Sequence, residues 1–329
     1  MGQIATCWRG DRVSDLEREL RRARLDCEEE RRTREQLGGM LTSHEQEFRG
    51  MRDWVITGDE IEIRRDQRLG VGAWGIVYRG NFQGCDVAVK EIHPVIMSDR
   101  IRQLFEREVD IASRCRHPCL LQFIGATTGE RPLLVTEIME CSLRATLYNQ
   151  TDPPLSDPEI TTIALDVAKA LNYLHHKRDP IIHHDISSGN VLLWRQGDQW
   201  RAKVSDYGTA HFVRQSSINY AGNAVYCAPE SLREDPSTPI SCKVDVYSFG
   251  VLLCETCTRQ EPNPQQRRRQ IDMIRNDMFK NLVRNCVKEH PGMRLDMGSV
   301  IQELENRGSQ ETRRNQTMTR HSWIAWAWH

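Results

Sequence analysis

The chain has no apolar run near the roughly eighteen residues that a membrane-spanning helix requires. It also lacks an excess of either charge, with 45 Lys and Arg against 46 Asp and Glu and a net charge of −1. Without a global basic field, no nucleic-acid partner is expected. No secretory leader precedes the eleven scattered cysteines, so free thiols in a reducing, cytoplasmic setting are expected, not a disulfide framework. Cys254 and Cys257 form a lone Cys-x-x-Cys with no second pair, which favours buried structure over metal or redox chemistry.

The 329 residues have room for one large domain and a modest extension. Residues 1–10 are short and irregular. Gly2 with Thr6 fits an N-myristoylation signal and Cys7 could take a second acyl chain, so peripheral anchoring on the cytoplasmic face is an expectation. Residues 11–37 are dense in Arg and Glu and free of Gly and Pro, which predicts a helix. Val13, Leu16, Leu20, Ala23 and Cys27 alternate spacings of three and four, a seam that fails at Glu30 and Arg34. A short coiled coil over 13–27, to itself or to a partner helix, and a single solvated helix both fit. Residues 38–58 form a linker, 59–305 the main domain, and 306–329 a polar tail containing Trp323, Trp326 and Trp328.

Within the main domain, residues 59–89 alternate apolar and polar side chains between glycine turns, which predicts antiparallel strands. Ser98–Cys115 reads as a helix and Leu133–Thr136 as a buried strand. Beyond Cys141 the chain is mainly helical, most clearly over Ile160–His176 and Val244–Cys257. Between Cys257 and Asn281 the helical segment is expected to be reduced, with Arg267, Arg268 and Arg269 on a solvated face.

The chemistry is concentrated in an ordered series of short motifs. Gly70, Gly72 and Gly75 form a turn that can approach phosphate oxygens closely, and Lys90 follows in Val87-Ala88-Val89-Lys90. Glycine turn, strand and single lysine together form a device for holding a nucleoside triphosphate. Downstream come Glu108 on a helix, His183-His184-Asp185 with Asn190, Asp206-Tyr207-Gly208, Ala228-Pro229-Glu230, Asp245 and Arg294.

This ordered set resembles the eukaryotic protein kinase catalytic domain over roughly Ile61 to Leu304, and its wording is most similar to the tyrosine-kinase-like group, which mostly phosphorylates serine and threonine. The resemblance implies an α+β, bilobal fold with a small antiparallel sheet lobe carrying one helix and a larger helical lobe. It implies ATP and Mg²⁺ as cofactors and a protein as substrate. Lys90 would pair with the α- and β-phosphates and Glu108, in preference to Glu106, would hold it. Asp206 and Asn190 would bind Mg²⁺, and Asp185 would take the acceptor hydroxyl's proton. Leu69, Val77 and Ala88 above and Leu192 below would enclose the adenine, and backbone groups of Glu137 and Met139 would read its edge. Thr136 would leave a back pocket open. Glu230 with Arg294, and Asp245, would be structural.

The sequence departs from the family pattern at several points. His184 replaces an arginine that pairs with an activation-segment phosphate, so Ser216, Ser217 or Tyr220 would gain little from phosphorylation there unless Lys203 or Arg214 takes over. Ser187 stands where a lysine contacts the γ-phosphate, Gly189 where tyrosine kinases carry arginine, Asn223 where a threonine is usual, and Ala112 where a leucine packs. These leave serine/threonine against tyrosine specificity open, with a nucleotide-binding pseudokinase scaffold as the alternative.

Overall fold

The computed structural model describes residues 54–71, 75–92, 99–128, 132–206, 211–212, 223–232 and 240–306. The lipidation motif, the 13–27 seam, Gly72, the tail tryptophans, Arg214 and the segment with Ser216, Ser217 and Tyr220 lie outside these residues.

The first strands are β1 (Ile61–Val71), β2 (Gly75–Phe82), β3 (Cys85–Ile92), β4 (Phe123–Ala126) and β5 (Leu133–Glu137). They form one antiparallel sheet in the order β1-β2-β3-β5-β4. Alternation along β3 decides which face does what. Val87 and Val89 point into a core with Ile61, Leu133 and Val135, so Ala88 and Lys90 point to the other face. Helix α1 (Asp99–Arg114) buries Ile101, Phe105, Val109 and Ala112, spaced by three and four. Glu108 falls within the same stripe and is buried, a charged group on an otherwise apolar face.

Short strand β6 (Cys141–Ser142) leads into α2 (Leu143–Tyr148) and α3 (Asp157–His175). Ser142 caps α2 by accepting the Ala145 amide, and Ser156 with Glu159 forms a capping box at the start of α3. Strands β7 (Ile181–Ile182), β8 (Val191–Gln196), β9 (Gln199–Val204) and β10 (His211–Phe212) follow, β6, β8 and β9 forming one small sheet and β7 pairing with β10. Helices α4 (Lys243–Thr258), α5 (Arg267–Asp272), α6 (Asp277–Cys286) and α7 (297–306) complete the lower lobe. α4 is buried nearly all round, as befits a central helix. Gly250 lets α6 approach it, since a Cβ there would stand 2.6 Å from that of Cys286. The expected reduced helix after Cys257 is α5, only six residues long. The α+β, two-lobed expectation holds.

The run Arg267–Arg269 does not lie wholly on a solvated face. Arg268 and Arg269 are exposed, but Arg267 is buried. It donates from Nη2 to the carbonyl of Val225 at 2.7 Å.

Candidate active site

Antiparallel register brings several of the motif residues onto one face of the upper sheet. Lys90 stands opposite Val77 on β2 and Leu134 on β5, and Ala88 stands opposite Thr136. Directly opposed residues share a face, and so do residues two apart on a strand, so Val77, Ala88, Lys90 and Thr136 form one surface. Leu69 lies in the irregularity of β1 between Arg68 and Gly70 and is exposed. Leu192 sits on the lower sheet, between Ser142 and Lys203. The link from Glu137 to Glu140 joins the lobes and carries a half-buried Met139. Its far end is fixed where the Glu140 amide donates to Leu193 O at 3.0 Å. The Thr136 hydroxyl is turned onto the Glu137 carbonyl at 3.2 Å.

The glycines serve two different ends. A Cβ on Gly75 would lie 2.2 Å from the Glu91 carbonyl oxygen, so this position is reserved for glycine by strand pairing. One on Gly70 would meet nothing within 4 Å.

Lys90 Nζ bonds both Glu108 oxygens, at 2.9 and 3.0 Å, and lies 3.5 Å from Asp206 Oδ1. Two carboxylates thus share one ammonium. Burial pulls the lysine's pKa down, but the charges of Asp206 and Glu108 outweigh it and hold Lys90 protonated. Burial, with the nearby Asp206 charge, pushes the Glu108 carboxyl above the ordinary range against the pull of Lys90.

The loop between β7 and β8 carries the other half of the site. Asp185 Oδ2 accepts from Asn190 Nδ2 at 2.8 Å, and Oδ1 accepts the backbone amide of Asn223 at 3.1 Å. Asn190 Nδ2 also donates to the Asp185 carbonyl at 2.8 Å. With its nitrogen so engaged, the amide turns its one acceptor atom, Oδ1, elsewhere. Asp206 follows β9 and adopts φ 65°. Its neighbour Ser205 is tied to the loop, accepting the His183 Nε2–H on its carbonyl at 3.0 Å and donating its amide to Asn190 O at 2.9 Å. His183 Nδ1 accepts the Asp185 amide at 3.3 Å, which leaves the ring proton on Nε2.

Asp206 and Asn190 are hard oxygen donors on adjoining segments. Among the described residues no group of three or more His, Cys, Asp or Glu could hold a metal alone. That donor set fits Mg²⁺, which takes most of its ligands from phosphate and water.

The contact expected of a threonine at 223 is made by backbone, so Asn223 supplies it whatever its side chain, which instead accepts the Val225 amide at 3.3 Å. Ser187 is buried, and the loop from Asp185 to Asn190 carries no cation. Ala112 packs in the core while Glu108 keeps its bond to Lys90. Lys203 does not take over a phosphate pocket, because it pairs with Glu137 at 2.6 Å on the interlobe link. His184 is buried at φ 65°, its amide donating to Asp245 Oδ1 at 2.9 Å.

A protein kinase domain model matches residues 63–324. The chain belongs to the protein kinase family. Similar proteins include a probable serine/threonine-protein kinase, SIS8, of Arabidopsis thaliana, 33% identical over 77% of this chain and 25% of its own length. The serine/threonine-protein kinase CTR1 of the same plant is 32% identical over 78% of this chain and 33% of its own. A dual specificity protein kinase, shkB, of Dictyostelium discoideum is 34% identical over 64% and 32%. The chain therefore spans a quarter to a third of the length of these relatives. The kinase falls in the tyrosine-kinase-like group, as its motif wording implies.

Sequence reasoning missed three supports of this kinase site. His175 Nε2 bonds Asp245 Oδ2 at 2.8 Å across 70 positions of sequence, a link that no motif spacing encodes. Glu255 accepts hydroxyls from Tyr148 at 2.8, Ser188 at 2.8 and Tyr226 at 2.7 Å. A single carboxylate inside the apolar Phe249–Cys257 run was the available signal for it. Arg267 is the third.

Proposed function

We propose that this kinase transfers the γ-phosphoryl group of ATP to a serine or threonine hydroxyl of a protein. The observation that carries the reading is the convergence of Lys90, Glu108 and Asp206 in one bonded set beside an Asp185 already held by two donors. Phosphoryl transfer demands little covalent chemistry of the protein and much positioning and charge stabilisation. Lys90, kept protonated, supplies fixed positive charge for the phosphates, and Glu108 fixes its position. Asp206 and Asn190 Oδ1 would hold Mg²⁺, which when bound neutralises phosphate charge. Asp185, aimed by Asn190 and the Asn223 amide, accepts the acceptor hydroxyl's proton and orients it for in-line attack. Val77, Ala88 and Thr136 above, with Leu69 at the rim and Leu192 below, form the apolar enclosure for the base, and Glu137 and Met139 offer backbone groups to its edge.

Incubating the full chain with labelled ATP, Mg²⁺ and a generic protein acceptor tests the reading. Label on serine or threonine that is absent with Asp206→Asn supports it. No transfer, or label on tyrosine alone, refutes it.

The reading extends to cellular setting. We infer further that it works in cytoplasmic signalling, that acyl chains on Gly2 and Cys7 can anchor it peripherally to a membrane, and that residues 13–27 serve as a coiled-coil segment for a second copy or a partner helix. Equal soluble fractions of wild type and Gly2→Ala would refute the anchoring.

A further inference from the structure

Arg267 is the first residue of α5, far in sequence from every motif, and 8% exposed. A buried guanidinium normally has a carboxylate partner, because an unpaired buried charge is costly. Among the described residues none lies within ion-pair distance of this one. Its Nε is buried without a hydrogen-bond partner, and its Nη2 is committed to a single backbone oxygen, that of Val225, at 2.7 Å. A buried cation held on one carbonyl marks a carbonyl whose position matters.

Val225 belongs to the turn 223–226, closed by the Tyr226 amide on Asn223 O at 3.0 Å. The Val225 amide is held by the Asn223 side chain and the Tyr226 carbonyl by the Ser248 hydroxyl at 3.0 Å. Asn223 and Ala224 are exposed at its tip. From this turn the Asn223 amide reaches Asp185 Oδ1. The path from Arg267 to the proposed base thus runs through a single four-residue turn: guanidinium to Val225 O, turn, Asn223 N–H to carboxylate. The turn's exposed tip stands next to the carboxylate that must meet the acceptor hydroxyl.

We infer that Arg267 is a positioning residue for phosphoryl transfer, fixing through Val225 the turn that aims Asp185 and receives the acceptor peptide. The inference rests on the kinase reading above. Lys90, Glu108 and Asp206 lie outside this path, so nucleotide binding does not depend on Arg267.

Arg267→Met keeps length and removes the donor, and Arg267→Lys keeps a charge able to reach one carbonyl. Each full-length variant is assayed for rate on a protein acceptor and for the thermal shift induced by Mg²⁺-ATP. Arg267→Met is expected to lose about tenfold or more in kcat on the acceptor, the order of effect expected when a reacting group is misaligned. Its nucleotide-induced shift should match wild type, and Arg267→Lys should recover part of the lost rate. A wild-type rate in Arg267→Met overturns the inference. So does a parallel loss of rate and nucleotide shift, or a lysine variant no better than methionine. If Arg267→Met does not fold, Arg267→Gln, whose amide nitrogen falls where the arginine Nε stands and so two bonds short of Val225 O, carries the same comparison. A wild-type chain that transfers nothing overturns the kinase reading itself, whereas an active wild type with an equally active variant overturns only the role of Arg267.

Discussion

His175 Nε2 and Asp245 Oδ2 stand 2.8 Å apart, and that carboxylate also accepts the amides of His183 and His184, each at 2.9 Å. One buried side chain from α4 thereby holds the end of α3 and the start of the loop that carries Asp185. Burial alone would raise its pKa, but the His175 hydrogen bond and the neighbouring imidazoles hold it at about 2. A depressed carboxylate pKa contributes stability that is present above its ordinary value near 4 and is lost as pH falls toward 2. That depression is worth about 2 kcal/mol. Thermal unfolding followed from pH 5 to 2 should show wild type losing more stability than Asp245→Asn, which starts lower. Parallel curves would refute this.

Lys90→Met should abolish transfer and destabilise the fold in a pH-dependent way. Without Lys90, Glu108 is a buried carboxylate beside Asp206, and breaking such a pair costs about 3–5 kcal/mol when the remaining charge persists. Its pKa is already raised, so the penalty should shrink as pH falls and the carboxyl protonates. Lys90→Met/Glu108→Gln should regain melting temperature at neutral pH but no activity. A double variant no more stable than the single would contradict the assignment.

Glu230 and Arg294 form a two-bond pair at 2.5 and 2.8 Å, both buried. Glu230→Ala leaves the guanidinium without its carboxylate and should cost about 3–5 kcal/mol. Calorimetry should then show a fall in melting temperature of about 10 °C, from the usual scaling of stability with size. A fall under about 3 °C would argue that the pair is weakly coupled to the fold.

Two glycines of one motif should behave differently. Gly75→Ala forces a Cβ against the Glu91 carbonyl and must part β2 from β3, which should weaken nucleotide binding and lower the melting temperature. Gly70→Ala has open space around it and should keep the wild-type melting temperature. Equal effects on stability would show that packing against β3 is not what Gly75 serves.

The His184 side chain is buried and Lys203 is engaged by Glu137, so neither is offered to a phosphate on the segment carrying Ser216, Ser217 and Tyr220. Phosphatase-treated enzyme should therefore keep most of its initial rate. A tenfold fall, about 1.4 kcal/mol of transition-state stabilisation, would refute this.

The sequence by itself determined the upper-lobe elements, the two long lower-lobe helices and the membership of the family, while the β8–β9 hairpin beyond Cys141 was not read from it. Strand alternation turns Lys90 to the face away from Val87 and Val89, the family resemblance singled out Glu108, and motif order names the lobes. These are short-range signals, written within a few residues. Tertiary structure decided the contacts that join distant segments: His175 to Asp245, three hydroxyls to Glu255, and Arg267 to Val225. Arg267 shows why these were illegible. Inside an Arg-Arg-Arg run its composition says solvent, and only tertiary packing, which sets its guanidinium on Val225 of the turn 223–226, buries it. It also separates backbone from side chain at Asn223, where the residue looks like a departure but the amide, common to every residue except proline, makes the bond. Periodicity fixes which way a side chain points, and packing fixes what it meets.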